Sequence, residues 1–157
     1  MAFVVSVYGP SGSGKTTLIE RLIPRLAARG LRVGVIKHAH EGFALDPQGK
    51  DSWRVWQAGA QAVVLAGPQE CFLRQRSDAS LRHVLALMPQ GLDCILIEGF
   101  AREIGANDVG ADVHCEVHPE GIRLNGRAIP REDIVAVEEL IVRACDGMSA
   151  TSRTRDG

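Results

Sequence analysis

The chain has 157 residues, 45% hydrophobic and 24% charged, with a formal net charge of -1. That is enough for one domain with a real core, in the ordinary composition of a soluble globular protein. The near-zero charge excludes a basic field that would draw in DNA or RNA, and no apolar run approaches the ~18 residues of a membrane span. The first residues enter a strand without a charged segment or cleavage site, so no signal peptide is expected and the expected compartment is the cytoplasm.

Phe3 to Tyr8 is apolar and β-branched, the pattern of a buried parallel strand. Gly9-Pro10-Ser11-Gly12-Ser13-Gly14-Lys15-Thr16 then matches the phosphate-loop pattern G-x-x-x-x-G-K-[ST] without a mismatch, and Thr17 follows. The spacing has a mechanical reason. Glycines without a β-carbon let the backbone curl and turn its N–H groups into a concave nest for phosphate oxygens. Lys15 adds a mobile point charge for the β- and γ-phosphates, and the Thr16 hydroxyl is a Mg²⁺ ligand. Leu18, Ile19, Leu22, Ile23, Leu26 and Ala27 recur at helical spacing until Gly30, so a helix opens on the loop and aims its positive end at the ligand. Pro24 lies inside that run and should kink it or break its ladder locally.

Leu31 to Ile36 reads as a second strand, ending in Lys37-His38-Ala39-His40. Ligands of open α/β sheets sit at the carboxyl ends of the strands, so Lys37, His38 and His40 are expected on the rim of the phosphate loop. The segment from Glu41 to Ser52 is long, polar and broken by Gly and Pro, as functional loops are. With Lys37, His38, His40, Lys50 and Ser52 it reads as a switch loop facing phosphates. A zinc pair at His38 and His40 is the alternative. Asp46 and Asp51 are candidates to orient water or to act as positioning bases. Equally, Asp46 reads as a turn residue before Pro47, and Asp51 or Ser52 as the cap of a helix carrying Trp53 and Trp56. The chain's three lysines are Lys15, Lys37 and Lys50, against fifteen arginines, which adds weight to a phosphate role for the latter two.

Ala62 to Ala66 reads as a third strand and Glu70 to Arg74 as a short strand antiparallel to it, around Gly67-Pro68. Ser77-Asp78 opens a helix that Pro89 and Gly91 close. Asp93 to Glu98 is an apolar strand ending in a carboxylate before Gly99, where Glu98 would hold Mg²⁺ directly or through water. Phe100 to Asp112 shows no period and reads as a flexible loop. In the alternating strand Val113 to His118, the residues His114, Glu116 and His118 share a face, either solvated or metal-binding. Asn125-Gly126 marks a tight turn, and Glu132 to Cys145 an amphipathic helix. The widely spaced cysteines Cys71, Cys94, Cys115 and Cys145 read as buried reduced thiols. Residues 1–146 are therefore expected to form one phosphate-loop nucleotide-binding domain, with 147–157 a disordered tail.

Taken together, GPSGSGKTTL, V-I-K-H-x-H, D-x-x-G-K-D-S and I-L-I-E-G-F resemble the molybdopterin-guanine dinucleotide biosynthesis protein B family (MobB) over most of residues 3 to 145. The resemblance implies an α/β fold, a mixed and mostly parallel β-sheet flanked by helices. It also implies a homodimer, Mg²⁺ and GTP as ligands, weak GTPase activity, and partnership with the guanylyltransferase that joins GMP to molybdopterin. Molybdopterin itself or a molybdoenzyme is a further expected partner. The sequence departs from the family where a lysine often follows E-G-F. Here Ala101-Arg102 stands in its place. The guanine reader N-K-x-D is absent, and Asn107-Asp108 has no lysine between its members.

With no arginine finger in the loop, hydrolysis is expected to be slow, a finger being worth about 10³–10⁵ in rate. Arg54 or Arg102 of a partner subunit is the candidate to supply one. A phosphotransferase or ATP-dependent ligase acting on a small molecule, and a binder of a phosphorylated cofactor without turnover, are the competing readings.

Overall fold

The computed structural model describes residues 2–105 and 110–153, with side chains through 147. Its elements are β1 (Phe3–Tyr8), α1 (Lys15–Ala28), β2 (Val33–Lys37), α2 (Asp51–Gln57), β3 (Ala62–Ala66), β4 (Cys71–Gln75), α3 (Leu81–Ala86), β5 (Cys94–Glu98), α4 (Ala101–Gly105), β6 (Val113–His118), β7 (Gly121–Leu124), β8 (Arg127–Ile129) and α5 (Ile134–Arg153). Six strands form one sheet in the order β2-β5-β1-β6-β7-β8. The first four run parallel, and β7 and β8 extend the edge as antiparallel hairpins.

Side chains alternate across the sheet, and each face finds its own helices. Cys94 and Leu96 of β5 join Phe3, Val5 and Val7 of β1 beneath Leu18, Leu22 and Leu26 of α1 and Val137 and Ile141 of α5. Ile95 and Ile97 turn the other way, into a cluster with Ile36, Leu81 of α3, Phe100 and Ile104 of α4. A strand buried on both faces has no polar alternation, which is why β5 reads as a continuous apolar run. Among the described residues no helix is long and apolar enough to cross a membrane.

Several expectations change. The strands β3 and β4 pair antiparallel, as expected, but as a separate two-stranded sheet. Pro24 lies within α1, which is one helix on both sides of it. Its missing N–H is the local break in the ladder that the sequence leads one to expect, and Leu22 and Leu26 pin the helix on either flank. The helix α2 is capped by neither Asp51 nor Ser52: Lys50 holds the N-cap position and Asp51 is the first helical residue. Ser80, not Ser77 or Asp78, caps α3, its hydroxyl accepting the His83 N–H. Phe100 to Asp112 is not a loop throughout, because α4 occupies its first part with Ile104 packed in the core. Asn107 and Asp108 lie outside the described residues. The last helix continues to Arg153 across the expected tail. Gly147 costs a helix only about 1 kcal/mol, and no proline stops it.

Three of the cysteines are buried, whereas Cys71 is exposed at the start of β4. Burial pushes the Cys115 thiol up to about 12. The Cys94 thiol is raised first by its hydrogen bond with Cys145, then by burial. Neither is a nucleophile at neutral pH. Between the two helices on that face, the buried Glu138 carboxylate of α5 receives Arg25 Nε at 2.5 Å and Arg29 Nε at 2.9 Å from α1.

Candidate functional site

The loop 9–14 leaves the carboxyl end of β1 and turns directly into α1. Gly14 is the N-cap in a left-handed conformation (φ 94°), so the helix N-terminus opens onto the curl of the loop. Gly9 and Gly12 are likewise at positive φ. A β-carbon on Gly9 would strike the Val117 carbonyl of β6, so the loop is wedged against the neighbouring strand. Ser13 is buried and its hydroxyl has no partner among the described residues. That hydroxyl and the helix N-terminus are donors suited to phosphate oxygens. Lys15 Nζ donates to the carbonyls of Gly9 (3.0 Å) and Pro10 (2.6 Å), folded across the loop it would serve.

Two strands and the first turn of α1 deliver the rest of the rim. Lys37 ends β2 and Glu98 ends β5, and the two are register partners. Lys37 Nζ donates to Glu98 Oε1 (3.0 Å) and Oε2 (3.1 Å) and to Thr16 Oγ1 (3.1 Å). The Thr16 hydroxyl donates to Glu98 Oε1 (3.1 Å) and Oε2 (3.0 Å). Thr16 and Glu98 thus bring two hard oxygens side by side at the mouth of the loop. Adjacent ligands of an octahedral Mg²⁺ at about 2.0–2.1 Å are separated by about 2.9 Å, so this donor pair fits that ion, with phosphate and water completing the shell. The Lys37 ammonium holds the same two groups and has to yield them to a metal.

Beside the loop lies a cleft of about 770 Å³, lined by Tyr8, Ser11, Lys15, His40, Phe100 and Arg102 among others. Its floor is a stack of rings. His38 lies 4.2 Å from Phe100 with planes 14° apart, and 4.1 Å from His40. A β-carbon on Gly99 would sit 2.8 Å from His38 Cβ, so only glycine lets β5 turn beneath that imidazole. Phe100 itself is held at φ 55°, a strained conformation for a bulky residue. Both expected histidines therefore reach the cleft. Among the described residues no group of three or more His, Cys, Asp or Glu is arranged to hold a metal, so the zinc readings at His38/His40 and at His114/Glu116/His118 find no support. Instead, His118 pairs with Glu116 at 3.0 Å.

The far part of the expected switch loop is elsewhere. Asp46 is not a base at the cleft: its side chain, 4% exposed, accepts from Ser52 Oγ (2.8 Å) and Arg74 (3.4 Å), tying the loop to β4. Asp51 projects fully into solvent, 3.7 Å from Arg54. Lys50 and Ser52 sit at the start of α2, and neither lines the cleft. Arg102 lines the cleft of its own chain and Arg54 does not, which does not bear on a finger supplied by a partner subunit. Sequence reasoning missed Phe100 and Tyr8 as wall residues and Arg131, whose guanidinium donates to Ser13 O at 2.9 Å and Pro119 O at 3.0 Å.

A mostly parallel sheet with the phosphate loop after a central strand, and a carboxylate ending the adjacent one, defines the class of phosphate-loop α/β proteins. Comparison with known proteins narrows this. The chain belongs to the MobB family: the family model described as molybdopterin guanine dinucleotide synthesis protein B matches residues 4–109. It is 43% identical over 103 residues to the molybdopterin-guanine dinucleotide biosynthesis adapter protein of Haemophilus influenzae, covering 64% of this chain and 58% of that one. With the adapter protein of Escherichia coli the identity is 42% over 98 residues, covering 59% and 56%. The chain thus spans less than two thirds of the length of these relatives. A crystal structure of molybdopterin-guanine biosynthesis protein B is similar along nearly the whole chain, with a TM-score of 0.62 and 25% identity, covering 92% of this chain and 99% of that one.

Proposed function

We propose that this chain is a Mg²⁺-dependent GTP-binding adapter with weak GTPase activity. In this reading it assists guanine dinucleotide formation on molybdopterin in the cytoplasm, as a homodimer working with the guanylyltransferase. The observation that carries the proposal is the convergence of an intact phosphate loop with Thr16, Glu98 and Lys37 at one point. Backbone N–H groups and Lys15 would receive the triphosphate, and Thr16 and Glu98 would hold the metal, which when bound would supply neutralising charge to the phosphates. Lys37, displaced from Glu98, is then within reach of the γ-phosphate, and its movement is transmitted to His38 and the loop that follows. That is how the site would report its nucleotide state.

Asp46 and Asp51, the carboxylates expected to orient an acceptor or a water, do not line the cleft, whereas Glu98 and Glu103 do. Slow turnover, and the choice of an adapter over a phosphotransferase or ligase, rest on family membership. The choice of guanine rests on family membership. Titration of GTP and ATP with Mg²⁺, turnover alone, and turnover with molybdopterin and the guanylyltransferase test the proposal together. Tighter GTP binding and faster guanylylation are the expected results. Equal affinity for ATP, or an acceptor phosphorylated without the partner, would reject it.

A further inference from the structure

Among the described bonds, the carbonyls of the phosphate loop are satisfied by donors close in the chain, with that of Ser13 the exception. When a backbone curls its N–H groups inward, its carbonyls turn outward, and each buried carbonyl needs a donor. The Pro10 carbonyl accepts from Ser13 N (3.3 Å) and Lys15 Nζ (2.6 Å), that of Gly9 accepts from Lys15 Nζ, and that of Gly14 from Leu18 N (2.9 Å). The Ser13 carbonyl instead takes its bond from Arg131, far along the chain in the β8–α5 connection. The approach is close enough that a β-carbon on Gly14 would run into the guanidinium. Glycine at that position thus serves two ends: the left-handed N-cap and room for Arg131.

The arginine is itself held. Its other terminal nitrogen donates to the Pro119 carbonyl, just past β6. Its backbone lies in a turn closed by Asp133 N on Pro130 O (3.0 Å) and Ile134 N on Glu132 O (2.9 Å), and Asp133 Oδ1 caps α5 through Ala136 N (3.0 Å). A planar fork reaching two carbonyls on two segments is a rigid brace, which a flexible ammonium reproduces only in part. Arg131 also lies outside residues 4–109, the part the family model matches.

We propose that Arg131 is a positioning residue for the phosphate loop. It fixes the Ser13–Gly14 peptide so that the following N–H groups face the triphosphate, and it keeps the loop shaped when Lys15 leaves the Gly9 and Pro10 carbonyls for a phosphate. This rests on the nucleotide-binding reading above.

The test compares wild type, Arg131→Met and Arg131→Lys in equilibrium titrations with Mg²⁺–GTP and in thermal melts without ligand. The expected result is about a tenfold or greater loss of affinity in R131M, partial recovery in R131K, and nearly unchanged melting of the unliganded protein. A merely structural arginine would move the melting temperature instead. Equal affinity in all three proteins, or affinity lost only together with the fold, overturns the assignment. Should R131M not fold, R131K decides, with wild-type affinity counting against the role. If wild type binds no triphosphate, the proposed function falls. Amide exchange over residues 11–16 then judges Arg131 alone: faster exchange in R131M supports the brace, and equal exchange refutes it.

Discussion

The rim at β1, β5 and α1 and the segment from α2 to β4 obey opposite rules. All five residues of β5 are buried, and its last one, Glu98, carries the site. No residue of α2 is buried, and on the β3–β4 hairpin the cross-strand partners Val64 and Leu73 are both exposed, Val64 at 62%. Where helices cover the sheet on both faces, the positions of Thr16, Lys37 and Glu98 follow from packing within one chain. The hairpin has alternation and apolar residues, and the short helix α2 that packs on β3 leaves Val64, Leu65 and Leu73 exposed. Its shape is complete while its burial is not, and an apolar face of that kind marks an interaction surface. The comparison separates a rim built by packing within one chain from a hairpin whose apolar face stays exposed, and in the proposed homodimer that hairpin is the expected contact.

Substitutions sharpen this contrast. The largest effect on stability is expected in the covered half: Leu22→Ala, at a fully buried position of α1, should cost about 2–5 kcal/mol in denaturant unfolding. The equivalent Val64→Ala should stay within about 0.5 kcal/mol for the monomer. A comparable loss at Val64 would mean that the hairpin is covered within its own chain. Next, Val64→Asp with Leu73→Asp should convert dimer to monomer in sedimentation while leaving GTP affinity intact. A dimer that survives both charges places the interface elsewhere.

On the rim, Glu98→Gln should raise the Mg²⁺ concentration needed for half-maximal GTP binding by about tenfold, with little change in affinity without the metal. At Glu138 the effect depends on pH. Arg25, then Arg29, hold its carboxyl below the usual range of about 4.3 for a glutamate. The folded state therefore binds that proton less readily than the unfolded chain. The resulting stability is present above the unfolded value and is lost as pH falls through the folded one. Glu138→Gln should lower the melting temperature at neutral pH, and the gap to wild type should close below about pH 4. A pH-independent gap would mean packing, not charge, is at stake.

How much of this was legible depends on the kind of signal each contact leaves. The strands with apolar, β-branched runs were readable, and so were the phosphate loop, Glu98 at a strand end, and Lys37 on the same rim. In each, periodicity or spacing is itself the cause of the structure. The independence of β3 and β4 from the main sheet was not legible, because alternation fixes which residues share a face and not which edge they join. Sequence left Asp46 open between a positioning base and a turn residue, because its partner, Arg74, is 28 residues away. Before Pro47, the aspartate gave only a local turn signal. Arg131 was invisible for a different reason: it acts on two backbone carbonyls, and a carbonyl has no side-chain identity to find in a sequence. Phe100 was hidden by the same glycine-rich texture that made its surroundings read as loop.

The most direct trial of the account is a crystal of this chain soaked with GTP and Mg²⁺. The prediction is density for the triphosphate within hydrogen-bond distance of the amides of residues 11 to 16, the metal between Thr16 and Glu98, and Lys37 released from both. A vacant loop, or a nucleotide bound while Lys37 still bridges Thr16 and Glu98 with no metal there, would contradict it.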